Sequence, residues 1–225
     1  VNVLGFFKLL ELSRELDLNR IIVPSSIGVF GPEVPRKNAP NETVLRPTSM
    51  YGVTKVTGEL LGNYYFNKFG LDVRGLRLPG IISSKTFPGG GTTDYAVEVF
   101  YRAIEDGHYT FFVHEDTTLP LMYMPDCVKS LIDLAEADLE DLTHHCDYNV
   151  SSLSFSAGEL AQEIEKHIPD FTYDFEPDER QEIADSWPDS LDDSFAREDW
   201  GWSSEYGLEE MVEDMIQKLN RKLKK

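Results

Sequence analysis

Positive charge is scarce in this sequence. Across 225 residues Lys and Arg number 21 against 40 Asp and Glu, a net charge of −19. Such a field repels a phosphate backbone and an anionic bilayer, so no nucleic acid and no membrane is expected as a partner. Cysteine is nearly absent: Cys127 and Cys146 are the only two and form no CxxC. That argues against a disulfide framework or a structural zinc and fits a reducing compartment. No apolar run approaches the roughly 20 residues of a membrane-spanning helix, and no basic, apolar leader opens the chain. A soluble, cytoplasmic protein is expected. An initiating methionine is missing too: the chain opens at Val1, directly in the helical pattern Val3, Leu4, Phe7, Leu10 and Leu12. An N-terminal portion upstream is therefore expected.

What is present belongs to an ordinary globular protein, 41% hydrophobic and 12% aromatic, enough for one domain and a smaller lobe. Carboxylates crowd the second half, as in "DFEPDERQEIADSWPDSLDD". Interleaved aromatics make that a solvated acidic surface rather than a tail. After the first helix, "RIIVPSSIGVFG" reads as a buried strand and its exit loop. Thr48 is placed to cap the next helix and Gly70 to end it. "LDVRGLRLPGII" follows as a second buried strand. Helix, strand, helix, strand is the alternation of an α/β fold with a parallel sheet, whose ligands sit in loops at the strand ends. "SKTFPGGGTTDYAVEVFYRAIEDG" passes from a glycine-rich loop into a helix. The remainder mixes strands and helices irregularly, as a smaller α+β lobe would.

Tyr51 and Lys55 in "TSMYGVTKVTGELL" stand four residues apart, on one helix face. A free phenol is a poor base at neutral pH, and an adjacent ammonium favours its phenolate. By spacing alone the pair is equally two residues of an amphipathic helix. Ser25 and Ser26 end the preceding strand. A hydroxyl there could hold a substrate alcohol while Tyr51 removes its proton, or the serines could simply close the strand in a turn.

Together "NVLG", "PSSIGVFG" and "YGVTK" resemble the extended short-chain dehydrogenase/reductases, Rossmann enzymes that include sugar-nucleotide epimerases and dehydratases. In that register Ser26 is the catalytic hydroxyl, Tyr51 the base, and Lys55 the cation that favours the phenolate and binds the nicotinamide ribose. "LRLPGIISSKTFPGGGTTDYAVEVFY", "DTTLPLMYMPDCV" and "RQEIADSWPDSLDDSFAREDWGW" are similar to the short-chain L-threonine 3-dehydrogenase branch. The apolar "PLMYMP" ahead of Asp126 departs from the sugar-nucleotide pattern. The resemblance implies NAD as cofactor, contacted by Ser25, Tyr51, Lys55, Pro79, Gly80 and Ile81. It implies L-threonine as substrate, contacted by Ser26, Thr92, Thr93, Asp94 and Trp187. It further implies a homodimer through helices 2–17 and 48–69.

Residue chemistry accommodates this. Gly89, Gly90 and Gly91 let backbone approach a ligand, and the helix start after them suits a carboxylate while Asp94 faces an ammonium or caps the helix. Pro79, Gly80 and Ile81 line the nicotinamide or merely break a strand. Trp187 covers the substrate or packs in the core, where Trp200 and Trp202 are assigned. His144, His145 and Cys146 read as surface or core residues on a strand, with no metal expected.

A Rossmann enzyme grips the dinucleotide pyrophosphate with a G-x-G-x-x-G-like turn after its first strand. That turn is missing here, and "PGGG" lacks its spacing and position. The expected organisation is residues 1–85 as the C-terminal half of the NAD-binding domain and 86–225 mainly as the substrate lobe, with some elements returning to the first. Alone, this chain is expected to expose the "RIIVP" edge, to bind NAD weakly and to be inactive. The alternatives kept are a sugar-nucleotide epimerase or dehydratase, and a non-catalytic NAD(P)-sensing or scaffold protein.

Overall fold

Helix α1 (Leu4–Glu15) opens the chain in the computed structural model, which describes residues 2–223. Strand β1 (Ile21–Ser26) and helix α2 (Met50–Phe69) follow. Helix α2 begins one residue later than the sequence suggested. Ser49, not Thr48, is the cap: it is extended, and its Oγ accepts from Gly52 N at 3.0 Å. At the other end Gly70 adopts φ 69°, the left-handed turn that glycine makes without strain.

The run "LDVRGLRLPGII" is two strands rather than one. Strand β2 (Val73–Leu78) stops at Pro79, which has no amide to continue a ladder, and β3 (Gly80–Ile82) joins a different sheet. Then come α3 (Tyr95–Glu105), β4 (His108–Phe111), β5 (Thr118–Tyr123) and α4 (Met124–Glu136). Strand β5 was not legible, because it contains Pro120 and is buried on both faces, which erases the two-residue alternation. The C-terminal part holds β6 (Tyr148–Asn149), β7 (Leu153–Ser156), α5 (Ala157–His167), β8 (Thr172–Phe175), α6 (Arg180–Asp185), α7 (Ser194–Trp200) and α8 (Leu208–Leu223).

The fold is α/β with parallel sheets. One sheet runs β1-β2-β6, all parallel, with Ile21 opposite Val73 and Ser26 opposite Leu78. A second runs β3-β5-β7, in which β5 pairs parallel to β3 and antiparallel to β7. Strands β4 and β8 form a parallel pair. Among the described residues β1 pairs only with β2. Its open edge carries Pro24, which offers no N–H to a passing strand.

The larger core lies where α3, α5 and α8 cover β4, β5 and β7, with Phe100, Phe111, Leu121, Leu160 and Met215 fully buried. Each such side chain contributes about 1.5–3 kcal/mol on leaving water. A second core under the first sheet holds Leu76, Met122, Tyr148 and Trp202. There Trp202 Nε1 donates to Ser151 O at 3.0 Å, and Trp200 packs beside it. Among the described residues no helix is long and apolar enough to cross a membrane.

Candidate active site

Strands β1 and β2 end in register, so Ser26 and the Pro79–Gly80 break stand side by side at one edge of the sheet. After Ser26 the chain makes a short 3-10 turn, Ile27–Val29, and Ser26 Oγ caps it by accepting from Gly28 N at 3.1 Å. The first turn of α2 lies directly against this turn. A Cβ on Gly28 would sit 3.1 Å from the Tyr51 ring, and one on Gly52 would sit 2.1 Å from Gly28 O. Two glycines therefore allow the contact that sets Tyr51 beside Ser26. Neither was singled out from the sequence, because the contact joins residues 24 positions apart. Lys55, one turn along α2, donates from Nζ to Pro24 O at 2.7 Å and lies 5.5 Å from the centre of the Tyr51 ring.

An open cleft of about 390 Å³ runs from this corner to the C-terminal lobe. Its walls bring together Ser26 and Tyr51, the Pro79–Ile81 break, Thr92 and Thr93 from the start of α3, and Trp187. Ile27, Ser49 and Ile183 also line it. The sequence did not point to them. Ile183 stands one helical turn ahead of Trp187, a relation that becomes visible only once α6 is known to face the cleft.

Three of the residues singled out lie elsewhere. Asp94 does not line the cleft: its Oδ2 accepts from Gly90 N at 2.8 Å and Gly91 N at 2.6 Å, holding a loop in which Gly90 takes φ 102°. It also makes no side-chain cap on α3. Thr93 instead packs over Gly80, where an added Cβ would meet its Cγ2 at 2.7 Å. Ser25 and Lys55 line a separate apolar groove of about 340 Å³ between α1, α2 and the open side of β1, with Phe6, Leu9 and Gly58. Tyr51 and Ser26 open into the other cleft and not into this groove.

Behind the corner lies a buried polar network. Ser25 Oγ donates to Glu59 Oε1 at 2.5 Å, and Arg77 grips the same carboxylate at 2.9 Å and 3.1 Å. Arg77 Nη1 also donates to Asn41 O at 2.7 Å. Burial pushes the Glu59 carboxyl above its ordinary range, opposed by the Arg77 charge and by the hydrogen bonds from Arg77 and Ser25.

The two histidines precede β6 in a bend rather than sitting on a strand. His145 stacks on Phe66 with ring centres 3.5 Å apart, and burial lowers its pKa. His144 Nδ1 lies 3.5 Å from Asp147. Cys146 is buried, its Sγ directed at Val73 O at 3.2 Å, and burial raises its pKa. A thiol in that state is inert.

Comparison with known proteins places the chain in a family. Over 218 residues, 96% of this chain, the sequence is 47% identical to the mitochondrial L-threonine 3-dehydrogenase of Bos taurus and spans 58% of that protein's length. Over 223 residues it is 46% identical to an uncharacterized epimerase/dehydratase of Staphylococcus haemolyticus, covering 99% of this chain and 70% of that one. The crystal structure of L-threonine dehydrogenase from Phytophthora infestans superposes with a TM-score of 0.96 at 50% identity, over 98% of this chain and 71% of that chain. Residues 1–151 match the NAD dependent epimerase/dehydratase family. With a parallel α/β sheet, a Ser-Tyr-Lys corner at its edge and these relatives, the chain belongs to the NAD dependent epimerase/dehydratase family.

Proposed function

We propose that the protein carrying this chain oxidises L-threonine at C3 to 2-amino-3-oxobutyrate with NAD as the acceptor. The observation that carries this reading is the single cleft in which Ser26 and Tyr51 face Thr92 and Thr93. Residues 1–85 we assign to the NAD-binding domain and 86–225 mainly to the substrate lobe. Strand β6 is an element of the latter that returns to pair with β2.

In this reading the Tyr51 phenolate takes the proton of the substrate hydroxyl while Ser26 Oγ orients that oxygen. Lys55, whose ammonium stands 5.5 Å from the centre of the Tyr51 ring, favours the phenolate, and Pro24 O holds that ammonium in place. The substrate carboxylate rests on the Thr92 and Thr93 hydroxyls at the start of α3, where the helix dipole favours an anion. Trp187 and Ile183 exclude water from the opposite wall. Asp94 shapes the glycine loop through its two amide contacts.

The residues present fit the nicotinamide half of NAD. Lys55 commits one of its three N–H donors to Pro24 O, which leaves donors for ribose hydroxyls. Pro79, Gly80 and Ile81 offer a side wall of little bulk next to Tyr51. When bound, NAD supplies the two-electron acceptor for the hydrogen on C3. Holding the alcohol in near-attack contact with it is the work of the cleft.

The assay is NADH formation by the full-length protein with L-threonine, run against conversion of a UDP-sugar. Threonine-dependent NADH is expected. Sugar conversion without threonine turnover would transfer the site to the sugar-nucleotide branch.

We also propose a homodimer through helices 2–17 and 48–69. Leu4, Leu12 and Leu16 on α1 and its exit, and Leu60 and Tyr64 on α2, are each at least half exposed, more apolar surface than a monomer usually leaves to water. Sedimentation of the full-length protein is expected to give twice the chain mass. A concentration-independent monomer would remove the proposal.

A further inference from the structure

The loop that delivers Thr92 and Thr93 to the cleft is tied down by an element outside the site. Lys222, in the last turn of α8, donates from Nζ to Ser84 O at 3.1 Å, Lys85 O at 2.9 Å and Tyr101 Oη at 2.9 Å. An ammonium has three N–H groups, and these three acceptors match them. Charge-assisted bonds of this kind are the stronger class.

The partners are themselves anchored. Tyr101 is 4% exposed on α3, its hydroxyl 3.4 Å from Ser84 O and its ring centre 5.2 Å from Lys222 Nζ. Phe87 meets that ring edge-on at 5.0 Å. On α8, Met211, Met215 and Leu219 are fully buried, so the helix presents Lys222 from a fixed base. The loop is thus held at Ser84–Phe87 by α8 and α3, and at Gly90–Gly91 by Asp94. Thr92 and Thr93 follow within a few residues.

We infer that Lys222 is a positioning residue: it acts through the Ser84 and Lys85 carbonyls to set where Thr92 and Thr93 stand, without touching the substrate. This rests on the reading of the cleft as an L-threonine site. A small shift of a binding group costs affinity or rate even when the shift originates far from the chemistry.

Lys222→Met keeps the aliphatic stem and removes the donors, and Lys222→Arg restores the charge. Two quantities are measured on the full-length protein: the rate of tryptic cleavage after Lys85, followed by mass spectrometry, and the steady-state constants. In Lys222→Met, cleavage after Lys85 is expected to accelerate, and KM for L-threonine to rise, by about fivefold or more, with kcat and KM for NAD within about twofold of wild type. Lys222→Arg is expected to recover most of both. Tyr101→Phe, which removes one acceptor and keeps the ring, moves both quantities the same way by less and serves if Lys222→Met fails to fold. Unchanged cleavage or an unchanged threonine KM overturns the inference. If the wild type itself yields no NADH from L-threonine, the functional reading fails, and the cleavage rate still decides whether α8 holds the loop.

Discussion

Tyr51→Phe in the full-length protein is expected to lower kcat for threonine-dependent NADH formation by about 10³-fold, within the range that general acid–base catalysis supplies. The substitution removes one oxygen. The ring keeps its seat against Gly28, where any side chain larger than hydrogen would crowd it. Tyr51 is 48% exposed, so loss of its hydroxyl leaves no buried partner unsatisfied, and the unfolding midpoint should not move. KM for L-threonine should change little, because Thr92, Thr93 and Ser26 remain. The readout is the pair of kcat and denaturant midpoint: a large loss in the first with none in the second. Turnover within tenfold of wild type would take Tyr51 out of the proton transfer and leave the mechanism to another group.

Arg77→Ala has the largest expected effect on stability. Arg77 is 2% exposed and Glu59 5%. Removing the guanidinium strands a carboxylate in a place where burial already opposes its charge. Losing one partner of such a pair costs about 3–5 kcal/mol, much of it the penalty on the abandoned charge. Asn41 O loses a donor as well. Urea unfolding should show a lower midpoint at unchanged slope.

The pH dependence follows from the sign. A carboxyl whose folded-state pKa lies above its unfolded value gives stability at pH below the unfolded value and loses it as pH rises through the folded one. Without Arg77, Glu59 is raised further, so the variant's deficit should shrink as the pH is lowered toward that raised value. The double substitution Arg77→Met with Glu59→Leu should recover most of the loss, since an apolar pair of similar size carries no desolvation penalty. A deficit in Arg77→Ala that is below about 1 kcal/mol and flat with pH would show the pair to be marginal. The same network reaches Ser25, next to Ser26. The single variant is therefore expected to lose activity beyond its loss of folded protein.

The elements that were legible from sequence are those whose signal is local. Val53, Val56 and Leu60 at helical spacing, with Gly70 beyond them, marked α2 within a residue of its bounds, and a β-branched run before two serines marked β1. Buried strands without alternation were harder. Pro79 split what read as one strand into β2 and β3, and Pro120 hid β5. Both failures combine a proline with burial: a strand buried on both faces loses its two-residue period, so nothing in the pattern shows where it starts or stops.

The candidate site divides along the same line. The residue types needed for proton abstraction, Ser26, Tyr51 and Lys55, and the glycine-threonine loop at 89–93 were visible in order along the chain. Their assembly was not. Gly52 against Gly28 O, Thr93 over Gly80, Ile183 and Trp187 across the cleft from Tyr51, and Lys222 on the Ser84 and Lys85 carbonyls each join segments whose contact no local pattern encodes. The order of elements and the chemical inventory belong to the sequence by itself, because propensity and periodicity act over a turn or a strand. Which side chains face one cleft, and which stand behind it as supports, was decided by tertiary packing, where close approach of backbones and burial of charge are settled between residues far apart in the chain.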